Sequence, residues 1–337
     1  MKTEQKNQIP KPNAEEPCPC GSAKKWRRCH GLPGVGPPAL IDDDEVDAPL
    51  LALGYNVLGI LRDAIALVPV NEGDLRHQYR NRCLLYFARK MYRVTLAGIT
   101  LIRLGQTAQA FTLKRDQYFA WVSFMYYLTH EDDSILFVAS GPLTQRDKLQ
   151  KIATFDPDLF ADAERQAQLR EKESLCRAVY AELPAMRRTK GKSGKGHNPE
   201  YIDWSPPKEY DMLTAVAKTW PDDMAKAGHP VPADEVEEWL RRKVAHTHFF
   251  HADFPGQDIH GTPMGFVGDL QRMENDELLG SETHDLNGLL CIYLPYAHDV
   301  AGGLVDFLNA PGFKDRLIKT KKSIASYSRE LQTMGTL

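Results

Sequence analysis

Long uninterrupted apolar runs are lacking, so we expect neither a signal peptide nor a membrane span. Residues 1–17 are polar and interrupted by prolines, without the apolar run of a secretory leader, so they predict a flexible N-terminus. The longest apolar stretches, near Leu50–Leu61 and Leu289–Leu304, contain or adjoin charged residues or a proline. We therefore expect a cytoplasmic protein that does not bind a membrane.

Cysteine is scarce, and neither sign of charge dominates. The 42 basic and 45 acidic residues leave a net charge of −3, which does not favour a general polyanion binder, so any contact with nucleic acid must be local. Of six cysteines, Cys83, Cys176 and Cys291 are scattered in apolar or helical contexts typical of buried free thiols. The other three fall in one short polar segment.

Sustained period-two alternation and internal repeats are both absent, which disfavours a β-sheet protein. Apolar residues instead recur at three- and four-residue steps, which is typical of helices. We predict an all-α helical bundle over residues 46–337, with flexible insertions near 187–200 and 254–273. The patterns that carry this prediction are Leu84, Phe87, Met91 and Val94; Phe111, Tyr118, Trp121, Met125 and Leu128; Leu286, Leu290, Tyr293, Ala297, Ala301, Leu304 and Leu308; and Phe313, Leu317, Ile324 and Leu331.

The strongest chemical signal is the segment from Cys18 to His30, with the spacing C-x-C-x8-C-H. Three thiols and an imidazole within so short a segment can close one tetrahedral shell around Zn²⁺. Unrelated thiols or a disulfide are the alternative, but nothing in the sequence suggests an oxidising compartment. We predict a structural Zn²⁺ bound by Cys18, Cys20, Cys29 and His30.

These residues resemble the SEC-C zinc knuckle, known from the C-terminal tail of the preprotein translocase motor ATPase and from many bacterial proteins. The resemblance includes the Cys-Pro-Cys-Gly-Ser opening and the Cys-His close, and departs from the commonest form at Ala23, where glycine is usual. It implies a module that binds partner proteins or ribosomal surfaces. Four protein ligands leave no open coordination position, which is consistent with a non-catalytic role.

The predicted knuckle, residues 18–30, carries a local positive charge. Lys24, Lys25, Arg27 and Arg28 surround Trp26, a composition that suits an acidic protein groove or a phosphate backbone equally well. We expect a protein or RNA partner to contact these five residues. A Gly/Pro-rich and acidic linker, residues 31–45, separates the knuckle from the helical body.

A second candidate site lies between Trp239 and Asp253, where three histidines fall within six residues. The pairs Arg241/His246 and Arg242/His248 resemble the Arg-x(4 to 6)-His motif of HEPN-type helical ribonucleases. That resemblance implies metal-independent RNA cleavage, in which the histidine acts on the 2′-hydroxyl or leaving oxygen and the arginine stabilises the charged phosphorane. The candidate catalytic residues are Arg241, Arg242, His246, His248 and His251.

Two other interpretations of this cluster stay open. So loose a spacing is expected about twice by chance in a chain of this composition. The histidines and Asp253 also supply metal ligands, although on one helix His246 and His248 lie roughly 200° apart, so a shared ion requires the helix to end within the cluster. The third interpretation is structural, with His251 capping a helix end before Pro255-Gly256.

The chain also resembles, by scattered positions, an uncharacterised all-helical bacterial family that often carries an SEC-C knuckle. Arg115, and Thr247 followed four residues later by His251, match positions typical of that family, whereas Tyr118 and Phe119 stand where a glutamate is usual. Toxin and phage-defence roles are suspected for such proteins by analogy. Two hypotheses follow: an endoribonuclease, with a homodimer as one arrangement of its site, or a non-enzymatic adaptor that docks through the knuckle.

Overall fold

The computed structural model describes residues 48–104, 106–155, 163–164, 166–168, 170–171, 174, 206–226, 228–253 and 286–333. Within these residues every regular element is a helix, which confirms the predicted all-α class. The elements are α1 (Ala48–Ala66), α2 (Leu75–Arg103), α3 (Thr107–Thr129), α4 (Glu131–Phe155), α5 (Glu209–Ala217), α6 (Trp220–Lys226), α7 (Val236–His248), a π-helical turn (Phe249–Asp253), α8 (Leu286–Phe307), a 3₁₀ turn (Pro311–Phe313) and α9 (Lys314–Thr333).

Several predicted segments lie outside the described residues. They are the N-terminal stretch 1–17, the knuckle 18–30, the linker 31–45 and the insertions near 187–200 and 254–273. The described body begins with α1 at Ala48, immediately after that predicted linker.

Helix α8 lies at the centre of the body, in contact with α1, α2, α3 and α9. Burial around most of its circumference explains why its sequence is apolar on more than one face. Its buried side chains are Leu290, Cys291, Tyr293, Leu294, Ala297, His298, Val300, Ala301, Leu304 and Val305.

Helices α2 and α3 pack along each other and close against α8. At Gly98 an added Cβ would lie 2.5 Å from Cε1 of Tyr293, so only glycine allows α2 to approach α8 this closely. The buried Gln117 amide donates to Oγ1 of Thr95 at 2.8 Å and to the carbonyl of Tyr293 at 2.9 Å. One side chain of α3 thereby joins α2 and α8.

Among the described residues, α1 is the one helix long and apolar enough to cross a bilayer. Length and composition alone do not separate a membrane span from a core helix. In this fold, Leu50, Val57, Ile60 and Leu61 of α1 are fully buried, and the helix packs against α2, α8 and α9. Those contacts account for its apolar sequence.

The predicted histidine cluster reaches the body through two contacts. Helix α7 packs against α5, and the π-helical turn that follows α7 packs against α3. A π-helical turn departs from the regular period of an α-helix and often marks a functional site. Here it carries the end of the cluster onto the middle of α3.

Candidate functional site

Arg241 and Arg242 lie on the exposed face of α7, where both bind Glu238. Nε of Arg241 is 2.8 Å from Oε2 of Glu238, and Nε of Arg242 is 2.7 Å from Oε1. Hydrogen bonds from Arg241 and then Arg242 lower the pKa of Glu238 to about 2. The two guanidinium groups that were predicted to bind phosphate are thus paired with a carboxylate one helical turn away, on the solvent-facing side of α7.

His248, the last residue of α7, is half-buried and contacts two tyrosines. Its Nδ1 lies 3.1 Å from the hydroxyl of Tyr118 on α3, and its ring meets Tyr210 edge-on at 5.4 Å between centroids. Hydrogen bonding at Nδ1 fixes the orientation of the imidazole. The predicted residue His246, two positions earlier, is exposed.

His251 lies in the π-helical turn and packs between two aromatic rings. It stacks on Tyr118 with 6.0 Å between centroids and 19° between planes, and it meets Tyr296 of α8 edge-on at 5.2 Å. Its Nδ1 is buried, and none of the residues that the structure describes forms a hydrogen bond with it. Burial, followed by the charges of Lys114 and His246, lowers the pKa of His251 to about 3, so the imidazole is neutral at physiological pH.

Lys114 is a buried cation on α3, with 5 % of its surface exposed. It lies one turn before Tyr118, on the same helix face, and its Nζ is 5.2 Å from the centre of the Phe111 ring. Among the described residues, no carboxylate forms an ion pair with it. Burial lowers the pKa of Lys114 to about 8.

Trp121 of α3 packs next to Tyr296 and Asp299 of α8. The rings of Trp121 and Tyr296 are 4.7 Å apart, and Nε1 of Trp121 donates to Oδ2 of Asp299 at 3.3 Å. Although the Asp299 side chain reaches solvent, the protein around it disfavours its charged form and raises its pKa. Tyr118, Trp121, His248, His251, Tyr296 and Phe111 are named below the aromatic cluster.

The aromatic cluster contains two imidazoles and lies beside the buried Lys114, and titratable groups with perturbed pKa values are typical of functional sites. Sequence reasoning named His248 and His251, but it missed Lys114, Tyr296 and Asp299. One signal for Lys114 was available, because its position falls in phase with Phe111 and Tyr118 in the apolar stripe of α3. A charged residue at a position that the period predicts to be buried indicates an unusual environment.

The metal-binding interpretation receives no support from the described residues, which contain no group of three or more potential His, Cys, Asp or Glu ligands. His248 and His251 both face the ring of Tyr118 instead.

The positions that match the helical bacterial family are Arg115, Thr247 and His251. The Arg115 guanidinium lies on α3 with its Cζ 5.2 Å from the Phe119 ring centre, and Thr247 is half-buried on α7. Arg115 and His251 therefore lie on elements that pack against each other, α3 and the π-helical turn.

The comparisons with known proteins bear on the N-terminal segment. Residues 16–32 match the family model of the SEC-C motif, and this range contains Cys18, Cys20, Cys29 and His30. No curated protein and no solved structure matches the chain. Because the match covers a small part of the chain, it identifies a module and leaves the helical body unassigned: the protein carries an SEC-C motif at residues 16–32.

Proposed function

We propose that this is a zinc-dependent docking protein, whose SEC-C motif binds one structural Zn²⁺ and presents a basic, aromatic surface to a partner. The observation that carries the proposal is the match of residues 16–32 to the SEC-C motif. The donor set fits the ion, because three thiolates and an imidazole are the ligands of a closed tetrahedral zinc site. Cys18, Cys20, Cys29 and His30 would hold it.

A closed zinc site folds a short polar segment and performs no chemistry of its own. Binding is then the role left to the module. The partner we propose is a protein with an acidic surface, contacted by Lys24, Lys25, Arg27, Arg28 and Trp26. With a net charge of −3, the chain has no general attraction for polyanions, so these four cations act as a local patch.

The test compares the full wild-type chain with a variant carrying Cys18→Ser and Cys20→Ser. Wild-type protein should contain one zinc per chain by elemental analysis, and the variant none, while the thermal unfolding of the helical body stays the same. Partners captured from cell extract are identified and purified, and their affinities are measured directly. We expect the variant to bind the purified partner with at least tenfold lower affinity. Retained affinity would overturn the docking proposal.

A second pair of variants separates a protein partner from RNA. Lys24→Glu with Lys25→Glu reverses half of the proposed patch and leaves the ligands intact, whereas Lys319→Glu with Lys322→Glu makes the same charge change on exposed positions of α9. We expect only the first pair of substitutions to weaken binding of the purified partner. Preferential loss of binding to single-stranded RNA oligonucleotides, with protein binding unchanged, would replace the protein partner with RNA.

A metal-independent endoribonuclease is the second candidate, favoured by the hydrogen bond that orients His248. Because Nδ1 is hydrogen-bonded to Tyr118, proton exchange with a ribose hydroxyl or leaving oxygen would involve the other ring nitrogen of His248. Arg241 and Arg242 would stabilise the phosphorane after RNA phosphate displaces Glu238. His246 and His251 complete the set of candidate catalytic residues.

The enzyme candidate is tested by incubating the full chain with single-stranded RNA in the presence of a chelator. His248→Ala should reduce cleavage at least a hundredfold, whereas His229→Ala, at an exposed position before α7, should not. Circular dichroism checks that both variants remain folded. If the protein acts as a toxin or in phage defence, induced expression should arrest growth and His248→Ala should relieve the arrest. Equal RNA cleavage by wild type, His246→Ala and His248→Ala would rule this candidate out.

A further inference from the structure

Lys114 is a buried cation, and no carboxylate of the described residues forms an ion pair with it. The side chain is 5 % exposed, and its ammonium faces the ring of Phe111 at 5.2 Å. Among the described residues, it has neither an ion pair nor a hydrogen bond. A buried ammonium with one cation–π contact and no anion is costly, and such charges are normally paired or bound to a ligand.

His251 is the second buried polar group of this region, next to Lys114. Its Nδ1 is buried and has no hydrogen-bond partner within the described part of the chain, although buried polar atoms are nearly always satisfied. The ring is fixed between Tyr118 and Tyr296 by stacking and edge contacts, so this nitrogen cannot turn to solvent without breaking them. In one neutral tautomer Nδ1 carries a hydrogen and donates.

The two groups belong to the same site. Lys114 and Tyr118 lie one helical turn apart on one face of α3, and His251 stacks on that tyrosine. The charge of Lys114 also acts directly on His251. An oxyanion meets both needs and also supplies the missing negative charge, because it accepts hydrogen bonds from an ammonium and from an imidazole N–H. A cation would be repelled by Lys114, and an apolar ligand would leave both groups unsatisfied.

We propose that Lys114 and His251 bind a compact oxyanion, a phosphate or carboxylate group, at the aromatic cluster. In this proposed site, the rings of Phe111, Tyr118 and Tyr296 would flank the anion, since Phe111 contacts Lys114 and the two tyrosines contact His251. The site lies in the helical body, so the inference goes beyond the docking function proposed for the SEC-C motif. It assigns the body a small-molecule ligand.

The experiment titrates inorganic phosphate, and separately acetate, into the full zinc-loaded chain at constant ionic strength. Calorimetry gives the affinity, and a change in tryptophan fluorescence, to which Trp121 beside Tyr296 contributes, accompanies binding at the site. We expect saturable one-to-one binding of at least one anion. The stronger of the two identifies the headgroup as phosphate or carboxylate.

Three variants locate the site. Lys114→Met and His251→Phe should each weaken binding at least tenfold, whereas Lys90→Met, which removes a lysine already paired with Asp116 at 3.0 Å, should change it less than twofold. His251→Phe keeps the ring contacts and serves as a second probe if Lys114→Met alters folding. The same titration in the Cys18→Ser, Cys20→Ser variant should be unchanged, which separates this site from the knuckle.

The proposal would be overturned if neither anion bound wild-type protein at 10 mM, roughly the weakest affinity expected of a two-donor site. It would also be overturned if both Lys114→Met and His251→Phe bound as tightly as wild type. Loss of anion binding in the Cys18→Ser, Cys20→Ser variant would move the anion to the knuckle and likewise refute this site. None of these results bears on whether the knuckle binds a partner protein.

Discussion

The Tyr118 hydroxyl lies 3.1 Å from Nδ1 of His248, so a residue of α3 holds the histidine that ends α7, 130 residues away in sequence. Tyr118 is fully buried, and its ring also stacks on His251. One tyrosine therefore sets the position of both histidines of the aromatic cluster. The behaviour of the cluster should depend on this side chain.

Tyr118→Phe removes the hydroxyl and keeps the ring. We expect a loss of about 1–2 kcal/mol in the free energy of unfolding, because the partner nitrogen of His248 loses a hydrogen bond in a partly buried setting. Urea unfolding measures the loss, and Tyr86→Phe, at a position with 55 % exposure, is the control with no expected change. If the protein cleaves RNA, kcat should fall more than KM rises, since the variant disturbs a positioned imidazole and leaves the arginines in place.

His251 should make stability depend on pH below neutrality. Its pKa is about 3 in the folded protein against 6.5 when unfolded, so the unfolded chain binds the extra proton between these values. Stability from this group is complete above pH 6.5 and is lost as the pH falls toward 3, at up to about 1.4 kcal/mol per pH unit.

Urea unfolding between pH 7 and pH 4 tests this dependence. His251→Phe should flatten the curve by the contribution of one proton, and the exposed His229→Phe should not. Parallel curves for wild type and His251→Phe would show that the folded imidazole titrates normally.

Gly98 lies where α2 packs against α8, and Gly98→Ala places a methyl group 2.5 Å from Cε1 and 2.7 Å from Cζ of Tyr293. Because Tyr293 is fully buried and hydrogen-bonded to the Ala110 carbonyl, the ring has little freedom to yield. We expect a loss of about 1–3 kcal/mol from overpacking.

Gly302→Ala is the matched control for that substitution. Gly302 lies inside α8, and an added Cβ meets no atom within 4 Å. Replacing a helical glycine by alanine should raise stability by about 0.5–1 kcal/mol. Thermal unfolding of the two variants should therefore shift in opposite directions, and a shift of the same sign would show that the α2–α8 contact is looser than described.

Glu238 should compete with phosphate for Arg241 and Arg242. Glu238→Gln removes the carboxylate charge that both guanidinium groups bind, so affinity for single-stranded RNA should rise if these arginines contact phosphates. The measurement is fluorescence anisotropy at two salt concentrations. Glu237→Gln, on the same helix turn, is the control, and equal affinities for the two variants would exclude the arginines from RNA binding.

Zinc removal should expose thiols without unfolding the body. Chelation of the native protein is expected to make three further cysteines reactive toward a thiol reagent, namely Cys18, Cys20 and Cys29. Cys83 and Cys291 are buried in the helical core, and burial raises the pKa of the Cys83 thiol, so neither should react. Circular dichroism before and after chelation checks that the helices persist.

The helical period predicted the core of α8 well. Leu290, Tyr293, Ala297, Ala301 and Leu304, expected on one face, are all buried. Burial of an amphipathic face depends on local spacing, which the sequence displays directly. The same period placed Tyr118 and Trp121 correctly on the buried side of α3.

The composition of the candidate site was harder to predict. Tyr296 and Trp121 are far apart in sequence, and no local pattern records that their rings meet. The π-helical turn after His248 is also invisible to a search for helical period, although it is what brings His251 onto Tyr118. Arg241 and Arg242 were predicted to be catalytic from their spacing to His246 and His248. That spacing gives no information about Glu238, which forms ion pairs with both arginines.

The packing of α1 against α8 has a consequence for biosynthesis. During translation, α1 to α4 leave the ribosome well before Leu286–Phe307 is made, yet α8 covers the apolar faces of α1, α2 and α3. The nascent chain must therefore carry an uncovered hydrophobic surface until α8 has been synthesised. Chaperone dependence should be concentrated in that interval, and truncation before α8 should yield aggregated protein.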